Sequence, residues 1–275
     1  MLRRGWVESK WTKVNGITMH GRVSVNPVPV DAPNVVMIHG IGISSRYFLP
    51  TAVLLSPECR VLIPDLPGFG LSEKPKGDGE LHVKGLSDWL AAWTRAYGLE
   101  SAGIIGNSFG CQIAADFARR YPQMVECVVL VGPTTDPQGS SLREQLRRWH
   151  QNDPHEPIEK RYICWRDYLD CGLGQVVRSF RASLADHIEG NLPHVKAPTL
   201  VVRGSRDPIV PLRWAEEATR LLPNGKLVVI PGAYHTVNFS SPLELVRVMR
   251  PFFREHLKPG RKPVNSNTFS TTQAV

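Results

Sequence analysis

The pentapeptide Gly106-Asn107-Ser108-Phe109-Gly110 places one serine between two glycines, directly after the aliphatic run Ala-Gly-Ile-Ile of residues 102–105. A serine hydroxyl becomes a useful nucleophile only with three kinds of help. It needs a base to take its proton, an acid to orient that base, and N–H donors for the oxyanion that forms. The G-x-S-x-G spacing suits a sharp strand-to-helix turn, which leaves no room for side chains two residues either side of the serine. The stretch that follows, CQIAADFARRYP, reads as a helix stopped by Pro122. Its N-terminus would aim free N–H groups and a positive dipole end at a developing anion. Small residues also ease the packing of a strand on a helix, so the pattern has to be judged by its partners.

A base should follow later in the chain. His235, in VVIPGAYHTVNF, comes a few residues after a strand-like run and a Pro231-Gly232 turn. That places it on a loop at the edge where α/β sheets bind ligands. The other eight histidines fit the role less well. His39 precedes the serine, His20 lies in a hairpin, His82, His187 and His256 lie in helical stretches, and His150, His155 and His194 fall in a region without strands. Two aspartates compete to orient the base. Asp207 follows a strand in LVVRGSRDPIVP, and Asp136 follows another in VLVGPTTDP. The chain order serine, aspartate, histidine favours Asp207. His39-Gly40-Ile41-Gly42 ends the first buried run, and its glycines permit close approach of backbone to a substrate. The amides of Ile41 and Phe109 are the expected oxyanion donors. No H-E-x-x-H, paired C-x-x-C or close carboxylate–histidine cluster suggests a metal, and the chemistry calls for no cofactor.

These residues need a scaffold. WTKVNGITMHGRVSV has two alternating segments around an Asn-Gly pair, a hairpin signal. Six short β-branched runs follow at 35–38, 60–63, 102–106, 127–131, 199–203 and 226–230. They lack polar alternation, as strands buried on both faces should. Helical stretches lie between most of them, among them HVKGLSDWLAAWTRAYG, with Gly98 as its C-cap, LRWAEEATRLLPNG and LELVRVMRPFFREHL. The pattern predicts a doubly wound, mostly parallel α/β sheet entered through an antiparallel hairpin. Residues 133–196 read as helices without a strand, an insertion into a core made of 1–132 and 197–257. The polar tail 258–275 is expected to be disordered.

Composition narrows the function classes. With 275 residues, 42% hydrophobic and 21% charged, the chain is an ordinary globular protein. No apolar run approaches the roughly 20 residues of a membrane span. No apolar segment follows the basic N-terminus, so no signal peptide is read. Five scattered cysteines suit free thiols in a reducing compartment, which makes the cytoplasm the expected location. The net charge of +8 invites a nucleic-acid reading, but residues 1–13 and 254–275 each contribute +3, leaving the body nearly balanced. A nucleic-acid partner is therefore not expected, whereas a small-molecule substrate is.

Together, the His-Gly-x-Gly turn, PDLPGFGLSEKP, the serine elbow, GSRDPIVP and PGAYHTVNF resemble, in this order, the α/β-hydrolase fold superfamily over residues 15–257. The resemblance implies a triad of Ser108, Asp207 and His235, an oxyanion hole from Ile41 and Phe109, and a helical cap in residues 133–196. Asp65 and Ser72 match a loop that is usually structural. A serine at the elbow argues against the haloalkane dehalogenases, which use aspartate there. The expected activity is hydrolysis of a small or medium carboxylic ester, or a lactone. The tetrad GNSF also resembles the C–C bond hydrolases of meta-cleavage products. Two departures from that group are Cys111, where a third glycine is frequent, and TVNFSSP after the histidine, which lacks a tryptophan. A ligand sensor on the same scaffold is a third reading. In the insertion, Trp149, Tyr162, Trp165, Tyr168 and Phe180 would line a pocket or form the insertion's own core. Its nine basic and nine acidic residues cancel, so a strongly anionic substrate is not demanded.

Overall fold

A computed structural model describes residues 7–25, 29, 31–75 and 81–260. Residues 261–275, most of the expected disordered tail, lie outside the described residues, as does the extreme N-terminus. The hairpin is β1 (Val7–Val14) and β2 (Ile17–Ser24), with Val14 paired to Ile17 across the turn. Asn15 and Gly16 both have positive φ, 45° and 87°, the geometry of a type I′ turn. The chain continues through β3 (Asn34–Ile38), α1 (Leu49–Leu55), β4 (Arg60–Pro64), α2 (Val83–Ala96), β5 (Ala102–Asn107), α3 (Phe109–Arg120) and β6 (Val125–Val131). Four helices follow with no strand between them: α4 (Leu142–Asn152), α5 (Ile158–Cys171), α6 (Leu173–Ala185) and α7 (Ile188–Asn191). The alternation resumes with β7 (Thr199–Gly204), α8 (Leu212–Leu221), β8 (Gly225–Ile230), α9 (Val237–Ser240) and α10 (Pro242–His256).

The eight strands form one sheet in the order β1-β2-β4-β3-β5-β6-β7-β8. The hairpin joins β4 antiparallel, and every pair from β4 to β8 is parallel. Successive residues of the central strands feed opposite cores. Val36, Ile38, Ile104, Val128 and Leu130 pack with Leu86, Trp93, Phe117 and Trp214 of α2, α3 and α8. Val35, Met37, Ile105, Val129 and Val131 pack with Leu55, Leu245, Met249 and Phe253 of α1 and α10. Burial on both faces is why these runs carry no polar alternation.

Two details differ from the sequence expectation. The run at 226–230 is not buried on both faces. As β8 it is the sheet edge, with Val229 exposed. The seven-residue helix α1 also went unpredicted, since LPTAVLL is too short to show a helical period.

All five cysteines are free. Among the described residues no helix is long and apolar enough to cross a membrane.

Candidate active site

Because β3 and β5 to β8 run parallel, the segments leaving their C-terminal ends meet along one edge of the sheet. Ser108 stands between β5 and α3 with φ 55° and ψ −121°, a conformation L-residues rarely adopt. The flanking glycines are sterically required. A β-carbon on Gly106 would lie 2.4 Å from the Gly110 carbonyl oxygen, and one on Gly110 would lie 2.2 Å from that of Ile38. The turn is fixed by the Ser108 N–H donating to Val131 at 3.0 Å and by Asn107 Nδ2 donating to the same carbonyl at 3.0 Å. Cys111 donates its thiol to the Gly106 carbonyl at 3.2 Å, and burial pushes that thiol well above its usual range. It braces the turn and is no second nucleophile.

His235 Nδ1 lies 2.8 Å from Asp207 Oδ2, and both side chains are buried. The other Asp207 oxygen accepts from the N–H groups of Ile209 at 2.8 Å and Val210 at 3.0 Å. A carboxylate beside Nδ1 favours the tautomer with the proton there, leaving a lone pair on Nε2. That Nε2 is buried without a hydrogen-bond partner. Ser108 and His235 line the same cavity of about 450 Å³, within the usual range for small-molecule sites.

Asp136, the competing acid, is held elsewhere. It accepts from Arg148 Nη1 at 2.9 Å and from Arg213 Nη1 at 3.0 Å, and it caps the N–H of Gln138 at 3.1 Å. It anchors α4 to α8.

The glycine turn after β3 lies against the serine. A β-carbon on Gly40 would be 3.5 Å from that of Ser108, and Ile41 lines the cavity. His39 shapes this turn from beneath, bonding the Gly40 carbonyl through Nδ1 at 2.9 Å and the Leu66 N–H through Nε2 at 3.1 Å. Those contacts need a neutral imidazole, in keeping with burial, which lowers its pKa. Phe109 opens α3, where the first N–H groups have no acceptor within the helix. The remaining wall comes from α4 and α5, including Trp149, Lys160, Cys164, Trp165 and Tyr168. Of the five aromatic residues considered from the sequence, Tyr162 points outward and Phe180 packs edge-on against Trp149. Among the described residues no group of three or more His, Cys, Asp or Glu is arranged to hold a metal ion.

The family model described as the alpha/beta hydrolase fold matches residues 33–161, which include Ser108. A second model, described as TAP-like protein, matches residues 179–263, which include Asp207 and His235. The chain belongs to the α/β-hydrolase superfamily. It is 27% identical to a 2-(acetamidomethylene)succinate hydrolase of Mesorhizobium japonicum, over 81% of this chain and 88% of that one. Among solved structures, a bacterial membrane phospholipase A superposes with a TM-score of 0.78 at 24% identity, covering 91% of this chain and 87% of that one. A thermophilic esterase of Thermogutta terrifontis gives 0.72 at 21% identity, over 90% and 98%. These structural likenesses establish the fold of this α/β hydrolase.

The hydrolase carries site residues that sequence reasoning missed. Arg203 ends β7 buried, donating through Nε to the Val210 carbonyl at 2.7 Å and through Nη2 to that of Asp207 at 2.9 Å. It thereby closes the loop that presents the Asp207 carboxylate. The signal was present, since a charge inside a run buried on both faces must have partners. Asp65 and Ser72 are structural, as expected. Asp65 accepts from the N–H of Ser45 at 2.6 Å and of Leu71 at 2.9 Å and pairs with His20 at 2.7 Å. Although burial works against ionisation, these contacts hold its carboxyl at about 2. Asp167 of α5 accepts from the Ser44 N–H and hydroxyl, each at 2.8 Å, and from Arg46 at 2.6 Å. It ties α5 to the segment following the glycine turn.

Proposed function

We propose that this α/β hydrolase is a serine hydrolase of small or medium carboxylic esters or lactones, with Ser108 as nucleophile. One observation carries the reading: His235 is oriented by Asp207 through Nδ1 and leaves an unpartnered Nε2 in the cavity that Ser108 lines. His235 takes the hydroxyl proton as Ser108 attacks the carbonyl carbon. Asp207 holds the tautomer and stabilises the imidazolium. The tetrahedral oxyanion is held by the N–H groups of Ile41 and Phe109, and its collapse expels the alcohol, which takes the proton from His235. Water, activated by the same histidine, then cleaves the acyl-enzyme. On this reading residues 133–196 are the cap, inserted into a core of 1–132 and 197–257, and they exclude bulk water from the reaction.

The test is labelling of Ser108 by a fluorophosphonate, with turnover of short p-nitrophenyl esters that Ser108→Ala abolishes. No labelling and no turnover across the panel would remove the proposal.

A second reading, C–C hydrolysis of a carboxylate-bearing meta-cleavage product, draws support from the cavity wall. Lys160 and Arg161 share the single carboxylate of Asp153, at 3.6 and 3.5 Å, so this part of the cavity wall carries an excess positive charge. A carboxylate on the substrate would complete that arrangement. The protein named for a succinate derivative has a substrate of this charge type. Loss of the yellow chromophore of ring-cleavage products separates the two activities.

A further inference from the structure

The imidazole of His235 is held by Asp207, but its backbone is held by residues more than 75 positions away. Asn152 closes α4, and Glu156 lies in the short stretch before α5. The His235 N–H donates to Asn152 Oδ1 at 3.2 Å, and Asn152 Nδ2 donates to Glu156 Oε1 at 2.9 Å. The same Glu156 oxygen accepts the Thr236 N–H at 3.1 Å, while its second oxygen accepts the Thr236 hydroxyl. Asn152, Glu156, His235 and Thr236 are all buried. The amide orientation follows from chemistry: a backbone N–H needs an acceptor and a carboxylate needs a donor.

These contacts have a geometric consequence. Asp207 fixes one ring nitrogen. The start of the loop is held to the segment after β7, with the Gly232 N–H donating to Ser205 Oγ at 2.8 Å and the Arg206 N–H donating to the Ala233 carbonyl at 2.9 Å. Two consecutive N–H groups, of His235 and Thr236, bonded to Asn152 and Glu156 hold the part that carries the imidazole. The orientation of the imidazole is then set from two sides, by the ring on one and by the backbone on the other.

We propose that Asn152 and Glu156 are positioning residues for His235, so that the helical segment between β6 and β7 aligns the base as well as covering the cavity. This rests on His235 being the base. Asn152 and Glu156 act by accepting backbone hydrogen bonds, and the negative charge of Glu156 is not what matters.

The test compares Asn152→Ala, Asn152→Leu, Glu156→Ala and Glu156→Gln in the full chain. The readouts are kcat and KM on p-nitrophenyl butyrate, the rate of fluorophosphonate labelling of Ser108, and Tm. Asn152→Ala and Glu156→Ala are expected to lower kcat about 10- to 100-fold with little change in KM, because small misplacements of a catalytic group cost this much. Labelling should slow in proportion. Glu156→Gln keeps an acceptor for the Thr236 N–H and should recover most of kcat.

An unchanged kcat, or a loss confined to KM, overturns the proposal. So does a Glu156→Gln protein as slow as Glu156→Ala, since charge would then be the cause. Should the alanine variants fail to fold, the near-isosteric Asn152→Leu, which removes the acceptor of the His235 N–H, carries the test: a lowered kcat supports it and an unchanged kcat overturns it. His235→Ala separates the two levels. If it stays active, the base assignment fails; if it is inactive while the Asn152 and Glu156 variants are normal, only the positioning role fails.

Discussion

The imidazole of His235 lies directly against Gly132, the residue that follows β6: a β-carbon there would sit 3.0 Å from both Cε1 and Nδ1 of the ring. Gly132 also has a φ of 58°, so a side chain would be strained as well as crowded. Gly132→Ala should push the ring away from Asp207 and lower kcat about 10²-fold, the size of loss that misplacing a catalytic group causes. Steady-state kinetics on the preferred ester, compared with Tm, checks this: the loss should exceed what partial unfolding explains.

Asp207 and Asp136 make opposite predictions. Asp207→Asn should leave the fold intact and lower kcat about 10⁴-fold, as expected when the imidazole loses the acceptor that fixes its tautomer. Asp136→Asn should leave kcat per folded molecule near wild type while destabilising the protein by about 1–3 kcal/mol, because the buried Arg148 keeps Glu144 but loses the Asp136 charge. Urea unfolding alongside kinetics distinguishes the two aspartates.

Ser108 holds its place at the cavity wall with backbone strain. Ser108→Gly should abolish turnover and raise stability by about 1–2 kcal/mol, since glycine accepts a positive φ that costs serine of that order. For a chain of this size that corresponds to a Tm increase of about 2–4 °C per kcal/mol. A lower Tm than wild type would contradict it.

Asp186 closes α6, and burial, with Asp116 and Glu189 nearby, pushes its carboxyl up to about 7. One of its oxygens is buried without a partner. In the unfolded chain the group ionises near pH 4, so between about pH 4 and 7 the folded state holds a proton the unfolded state lacks. Stability from this group therefore falls as pH rises through that window. Asp186→Asn should match wild type in Tm below pH 4 and exceed it at pH 8.

Much of the site was legible because each element carries a local signature. Ser108, Asp207 and His235 each follow a β-branched run, and a parallel sheet brings such run ends to one edge. The steric reason for Gly106 and Gly110 was also readable before any coordinates. What escaped was long-range. The end of α4 reads as an ordinary polar helix terminus, and nothing local says that Asn152 meets the backbone of His235, 83 residues later. Charge counting misled for a related reason. The nine acids and nine bases of residues 133–196 cancel in sum, but Asp136, Glu156 and Asp167 are buried whereas Arg148 is the one buried base. The outer surface of that segment is consequently basic. A sequence tally cannot see which way a side chain points.

The segment over the cavity is fastened at two places, by Asp167 to the residues following the glycine turn and by Asn152 with Glu156 to the histidine loop. Lifting it away would break both fastenings and release the backbone of His235 and Thr236. With that segment in place, Arg161 and Trp165, which line the cavity and are more than half exposed, stand where the cavity meets solvent. On the proposed reading, the rim between these two side chains sorts substrates by molecular width before any bond is broken.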